Sequence, residues 1–254
     1  MINNVNKYSK GSEWRKWDLH VHTPSSHISQ YGGDTPEVWE KFIKDLEALP
    51  SEIKVIGIND YLFLDGYKKI VEFKQKGRLT NIDLILPVIE FRLKEFVGHE
   101  KLRRLNYHII FADVGLLVPA QIETQFLNRL CGSARLDASA PTVSWGGVVT
   151  RDSLIDLGGK IRAATPENKR PSLSSNDFDL GFNNINVEIS AVEEALGEKG
   201  APNTYLKDKY LKAIGKSEWE DFRWEEASIV EKKTIINGCD FVFCAASDKV
   251  LKYL

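Results

Sequence analysis

Between Lys16 and Leu130 the chain switches repeatedly between two hydrophobic periods, and that alternation restricts the fold more than any other feature. Lys16 to Val21 (KWDLHV) alternates apolar and polar residues and runs into the turn formers Thr23-Pro24-Ser25-Ser26, so it reads as a strand. Thr35-Pro36 then opens PEVWEKFIKDLEAL, with Val38, Phe42, Leu46 and Leu49 at helical spacing and proline where a helix start tolerates it. The order recurs. Lys54 to Ile58 (KVIGI) reads as a short buried strand ending at Asn59-Asp60-Tyr61, and Tyr67 to Lys76 as a helix closed by Gly77. Asp83 to Phe91 (DLILPVIEF) follows as a third strand with a bulge or bend at Pro87, then Arg104 to Phe111 (RLNYHIIF) as a fourth and Pro119 to Leu130 as a helix. Strands alternating with helices imply an α/β fold with parallel strands and helices outside, either closed as a barrel or open and doubly wound.

The second half is less regular. Cys131 to Gly147 is rich in small residues and reads as a long loop, Thr150 caps a short helix (RDSLIDLG), and Lys160 to Ala164 reads as a strand. Residues 165–182 are polar and turn-rich, the pattern of an exposed loop. Asn186 to Ile189 is then expected as a strand, Tyr205 to Ile214 as a helix, and Trp224 to Asn237 as a helix leading into a strand at Asp240 to Ala245. No linker or repeat interrupts the run, so residues 1–254 read as a single domain with a flexible start at 1–13. A closed α/β barrel commonly uses about 250 residues.

Charge and cysteine content narrow the partners. With 34 Lys and Arg against 36 Asp and Glu, no global basic field points to nucleic acid, and such a partner would need a local patch. Cys131, Cys239 and Cys244 are an odd number without CxxC spacing, which suits a reducing, cytoplasmic setting. No apolar run approaches the ~20 residues of a membrane helix, so no membrane partner is expected.

Three of the five histidines, His20, His22 and His27, crowd into one short stretch. His20 and His22 stand two apart on a strand and so share a face, where both imidazoles can approach one metal ion; Asp18 on that same face could orient a ring. Alone, an HxH pair is more often two ordinary strand histidines than a ligand pair. Recurrence changes the weighing: Asp60 follows the second strand, Glu90 lies at the end of the third and His108 within the fourth, and parallel α/β folds gather strand ends on one rim. Imidazole with carboxylate suits Zn, Mn or Fe, and a carboxylate such as Glu90 can bridge two ions that acidify water and clamp a phosphoryl group. Arg92 is expected on the face opposite Glu90, as a salt-bridge partner or, if Pro87 bends the strand, a phosphate clamp. Lys101, Arg103 and Arg104, with His99 nearby, and the pair Lys169 and Arg170 read first as solvated faces.

In DLHVHT, GINDY, PVIEF and the His108 strand the chain resembles the PHP (polymerase and histidinol phosphatase) superfamily of metal-dependent phosphoesterases. The fuller set WRKWDLHVHTPSS, GINDYLFLDGYKKI, LPVIEFRL and LNYHIIFAD is similar to the amino-terminal part of TrlF-like proteins, which couple a PHP domain to a P-loop ATPase; it spans Trp14 to about Asp113 most clearly. The resemblance implies a distorted (β/α)7-type barrel binding one to three divalent transition-metal ions through His20, His22, Glu90 and His108. It places His27 near a third metal position, with His27 and Asp60 as catalytic candidates, Asp18 and Tyr61 in support and Arg92 on the substrate.

Departures accompany the match. Tyr61 stands where many members carry a ligand histidine, and no histidine follows His108. Asp248 in AASDKV resembles the closing Asp-x-His motif, but Val250 replaces its histidine, so the last motif is expected beyond Leu254 and the barrel reads as cut short at its C-terminus. No GxxxxGK[ST] occurs, which assigns any ATPase to another domain or chain. The implied function is hydrolysis of a phosphodiester or phosphomonoester, in nucleic acid or a nucleotide, as the nuclease module of a PHP-ATPase in antiphage defence or nucleic-acid processing. The rival is a PHP domain that has lost ligands and serves an ATPase as a structural or regulatory module; an amidohydrolase-type enzyme is a third reading.

Overall fold

The structure of the protein, a computed structural model, describes residues 15–29, 31–97, 103–112, 119–136, 144–215 and 241–243. Strands β1 (Lys16–Val21), β2 (Ile53–Tyr61) and β3 (Leu84–Val97) pair in parallel in chain order, with helices α1 (Pro36–Glu47) and α2 (Asp65–Gln75) as the crossovers. Local chemistry accounts for α1. Thr35 is extended and its side chain accepts from the Val38 N–H, Pro36 sits where a missing N–H costs nothing, and Trp39, Phe42, Ile43 and Leu46 form the buried stripe.

The expectation of an all-parallel sheet fails at the fourth strand. Strand β4 (Arg103–Phe111) runs antiparallel to β3, with Glu90 opposite His108. Only five residues separate Val97 from Arg103, whereas a parallel return needs a crossover of roughly a dozen or more. Strand β8 (Tyr210–Gly215) pairs antiparallel with β4, and β9 (Phe241–Phe243) parallel with β8. Beyond Glu90, β3 gains a different neighbour, the two-residue strand β7 (Asn186–Val187), through Leu93 and Val187. The result is a mixed α/β sheet; among the described residues β1 and β9 do not pair, so no closed barrel forms. Pro87 causes no bend in the β2 ladder, where it stands opposite Ile58, and pairing with β4 begins one residue later at Val88. The missing N–H therefore falls where β3 carries a single ladder.

Most other departures lie in the second half. Cys131 to Gly147 is no loop at its ends: β5 (Cys131–Arg135) and β6 (Ser144–Val148) pair antiparallel, β5 also pairing with β7. Helix α3 (Pro119–Gln125), shorter than expected, passes into a 3-10 turn at Leu127–Arg129. Helix α4 (Arg151–Ala164) runs straight through the strand expected at 160–164. The segment 165–182, expected as an exposed loop, holds a 3-10 turn at Glu167–Ser172 and helix α5 (Asp177–Asn184), which buries Leu180 and Phe182. Ile189 opens helix α6 (Ile189–Leu196) instead of ending a strand, and Tyr205 to Ile214 contributes β8 instead of a helix. The helix expected at 224–237, the flexible start at 1–13, His99, Cys239, Cys244 and Asp248 lie outside the described residues.

A large apolar cluster, including Phe42, Ile56, Ile58, Ile89, Phe91 and Tyr107, packs the sheet against the helices. The other sheet face carries a smaller cluster of Leu19, Val55, Leu86, Val88, Ile110 and Ala213. With the two-residue period of strands, Asn59, Glu90 and His108 continue that second face beyond its apolar patch. The polar cluster is therefore built into the sheet itself.

Helices α4 and α5 meet backbone to backbone. A Cβ on Gly158 would run into the Asp177 carbonyl, and one on Gly181 into the Leu154 carbonyl. Gly158→Ala is expected to destabilise the protein by roughly 1–3 kcal/mol in urea unfolding, because overpacking must push the helices apart. The neighbouring Gly159 has its nearest contact at 3.7 Å, so Gly159→Ala should be neutral or stabilising. Equal behaviour of the two variants would refute the close crossing.

Candidate metal centre

Glu90 is the centre of the cluster. Its side chain is 0% exposed, and its Oε2 lies 3.7 Å from His20 Nε2, 3.5 Å from His22 Nε2 and 3.5 Å from His108 Nε2. His20 at the end of β1 and His22 just beyond it approach each other to 3.1 Å, Nε2 to Nε2. Donor atoms about 2.0–2.1 Å from one transition-metal ion stand roughly 2.8–3.0 Å apart in octahedral and roughly 3.3–3.4 Å apart in tetrahedral arrangements. The spacings among His20, His22 and Glu90 are close to those edges, and their donor atoms all lie within 4.8 Å of one another. Among the described residues Glu90 Oε1 is buried with no hydrogen-bond partner, an anion oxygen of the kind a cation satisfies. His108 approaches the same carboxylate from β4, and its ring meets that of His20 edge-on with centroids 5.3 Å apart.

The electrostatics suit ligation. Burial is the largest influence on His20, pushing it down to about 3 against the pull of Glu90, and burial likewise lowers His22. For Glu90, burial opposes ionisation, but the surrounding imidazoles outweigh it and hold the carboxyl below the usual carboxylate range. Neutral His20 and His22 imidazoles beside an ionised Glu90 are the protonation state that a metal ion requires. The Ser26 hydroxyl meets His22 Nδ1 at 3.3 Å and so orients Nε2 towards Glu90.

The remaining expected residues fall in different places. The register shift between Asp18 and Val21 breaks the strict alternation, and Asp18 Oδ1 accepts from the His20 backbone N–H at 3.1 Å instead of orienting a ring. Tyr61 stacks on His22 with centroids 5.2 Å apart and an interplanar angle of 15°. Arg92 does not face away from Glu90: a separation of two residues returns a strand side chain to the same face, and its guanidinium lies 5.4 Å from the Tyr61 ring centre. No carboxylate lies within ion-pair distance of Arg92 among the described residues. His27 stands apart from the Glu90 cluster, packed on Phe178 and Phe182 of α5 with Nε2 3.5 Å from Asp179.

Asp60 reaches none of the ligands. Its Oδ1 accepts from the Thr23 N–H at 2.9 Å and its Oδ2 from the Thr23 hydroxyl at 2.7 Å, which ties the turn after β1 to the end of β2. The first turn of α2 presses on this pair so closely that a Cβ on Gly66 would strike both Asp60 and Thr23. A carboxylate there is favoured by the positive end of the helix dipole.

Sequence reasoning missed several contributors. Asn59 donates to Glu90, and Arg151 at the start of α4 lies 4.3 Å from the Phe63 ring centre and pairs with Asp65 at 2.5 Å. Arg151, Phe63 and Asp65 border a small cleft with Ser25, His27, Asp60 and Tyr61. Arg151 and Asp179 carried no signal, since their approach depends on how α4 and α5 dock.

No protein-family profile matches the chain, and no curated protein matches it. Among solved structures, one from Bifidobacterium adolescentis, provisionally named a metal-dependent phosphoesterase, aligns over 90% of this chain and 76% of its own at 14% identity with a TM-score of 0.33. A likeness that distant carries no argument about fold or chemistry, which rest on the geometry above. Among the described residues no helix is long and apolar enough to cross a membrane.

Burial pushes Asp60 up to about 6, with the Thr23 bonds opposing the shift. The unfolded chain releases this proton near 3.8, so between the two values folding takes up a proton and the stability that the protonated group contributes is lost as pH rises through about 6. Asp60→Asn can keep both Thr23 contacts without the buried charge. In the metal-free protein its stability relative to the parent should therefore rise by on the order of 2–3 kcal/mol between about pH 4 and about pH 7.5. Urea unfolding across that range is the check, and a constant difference would rule out the buried carboxylate as the cause.

Proposed function

We propose that the protein is a PHP-type metal-dependent phosphoesterase that hydrolyses a phosphodiester or phosphomonoester of a nucleotide or nucleic acid. The observation that carries the reading is the convergence of the His20, His22 and Glu90 donor atoms within 4.8 Å, with His108 on the same carboxylate. The PHP-like motif order supports the phosphoester class and a barrel-type architecture for the whole domain. Through its TrlF-like form, the resemblance also extends the proposal to a cytoplasmic nuclease module acting beside a P-loop ATPase in antiphage defence.

Zn, Mn or Fe bound here would supply an acidified water and an electrophilic clamp on phosphoryl oxygens. His20, His22, Glu90 and His108 would hold it. The chain's other groups have distinct tasks. Arg92 lies on the Glu90 face with its charge unspent on any described carboxylate, so it is suited to hold a non-bridging phosphoryl oxygen. His27, lowered by burial while Asp179 pulls it back up, is neutral near pH 7 and suited to accept a proton at the cleft. Asp60 acts at one remove by holding the turn that follows His22.

A second reading is a regulatory module that retains metal without catalysis, favoured by Tyr61 occupying a ligand position and by the engagement of both Asp60 oxygens with Thr23. One experiment separates the two. Purified protein should contain about one to three transition-metal equivalents by elemental analysis. His20→Ala combined with His22→Ala should remove most of that metal and lower Mn-dependent hydrolysis of bis-p-nitrophenyl phosphate by at least about 100-fold. Arg92→Ala should raise KM more than it lowers kcat. Metal retained by the double variant would overturn the site, and metal without turnover of phosphoesters, DNA or RNA would favour the regulatory module.

A further inference from the structure

Asn59 has no task in the reading above, on which the following inference rests. It is fully buried on β2, and its Nδ2 donates to Glu90 Oε2 at 2.5 Å. The ladder explains the reach. Asn59 stands opposite Val88, and Tyr61 opposite Glu90, so Asn59 and Glu90 are diagonal neighbours across the β2 and β3 pair. Oε2 is also the oxygen that faces His20, His22 and His108. Imidazoles that keep their Nε2 lone pairs for a cation have no proton to give that oxygen, so in the ligating state the Asn59 carboxamide is a donor that still restrains it, beside the Tyr61 hydroxyl, which also interacts with the Glu90 carboxylate.

The residue type is informative. A neutral carboxamide fixes the oxygen without cancelling its charge, whereas a Lys or Arg would compete with the cation for it. An apolar side chain would leave Oε2 without its amide donor. Stability does not explain the choice, because Asn59 Oδ1 is buried with no hydrogen-bond partner among the described residues, a cost of about 1–3 kcal/mol.

We propose that Asn59 is a positioning residue that locks Glu90 with Oε2 presented to the ion shared by His20 and His22, and thereby sets the affinity and geometry of the metal site. Hydrogen-bond partners of ligating groups typically change metal affinity by about 10–100-fold when removed. The test is titration of metal-free full-length protein with Co(II), read by its visible absorption, for the parent, Asn59→Leu, Glu90→Gln and the double variant. Asn59→Ser replaces Asn59→Leu if the latter does not fold.

The expected result is an affinity about 10–100-fold weaker with a shifted visible band in the Asn59 variant, and no further loss when the substitution is added to Glu90→Gln. An unchanged affinity and band would overturn the proposal, as would an equal loss in the Glu90→Gln background, which would mark general structural damage. A parent that takes up no Co(II) would overturn the metal reading itself, and the positioning role with it.

Discussion

A carboxylate buried in the sheet, with three imidazoles and one carboxamide around it, is the constraint on which the arrangement depends. Glu90 is wholly inaccessible, and an isolated ion in such a place would be expensive. It is tolerable because β1 supplies His20 and the turn beyond it His22, while β2 supplies Asn59 and β4 supplies His108. Three segments distant in sequence are tied to one side chain. Asn59, Glu90 and His108 lie on the sheet face that continues past the small apolar cluster of Leu19, Val55, Leu86, Val88, Ile110 and Ala213.

The surroundings stiffen this centre in layers. Thr23 and Asp60 bind the turn after β1 to β2, and the glycine at the start of α2 lets that helix close over them. Tyr61 covers His22, and Arg92 lies over Tyr61. On the other flank, α5 brings Phe178, Asp179 and Phe182 to His27, held there by the glycine-mediated crossing with α4. Two separate polar centres result: a sheet-borne cluster around Glu90, and a His27 and Asp179 pair carried by a turn and a helix, with His27 on the rim of a small cleft that Tyr61 also lines.

Legibility followed the range of the interactions. The first three strands and their two helices were readable because their periodicity and caps are local, as with Thr35 and Pro36 ahead of α1. Strand β4 was readable as an element but not in direction, which the short span after Val97 decides. Segment 165–182 was misread because polar, turn-like composition hides a helix whose stability comes from docking: Gly181 looks like a breaker in sequence and is the contact surface in the fold. Tyr205 to Ile214 failed for the complementary reason, since its end is recruited as a strand by β4.

The sequence by itself determined the α/β class, the first crossovers, and the residue types His20, His22, Glu90 and His108 at strand positions, because the two-residue period and strand-end placement are local properties. Only the tertiary structure decided which of them share an atom, since the meeting at Glu90 Oε2 depends on cross-strand register. It also turned Asp18 to a backbone N–H and Asp60 to Thr23, and it gave Asn59 its contact with Glu90. Those outcomes follow from a register shift in β1, the pairing of β2 with β3 and the docking of α2, none of which is written in any one stretch of the chain.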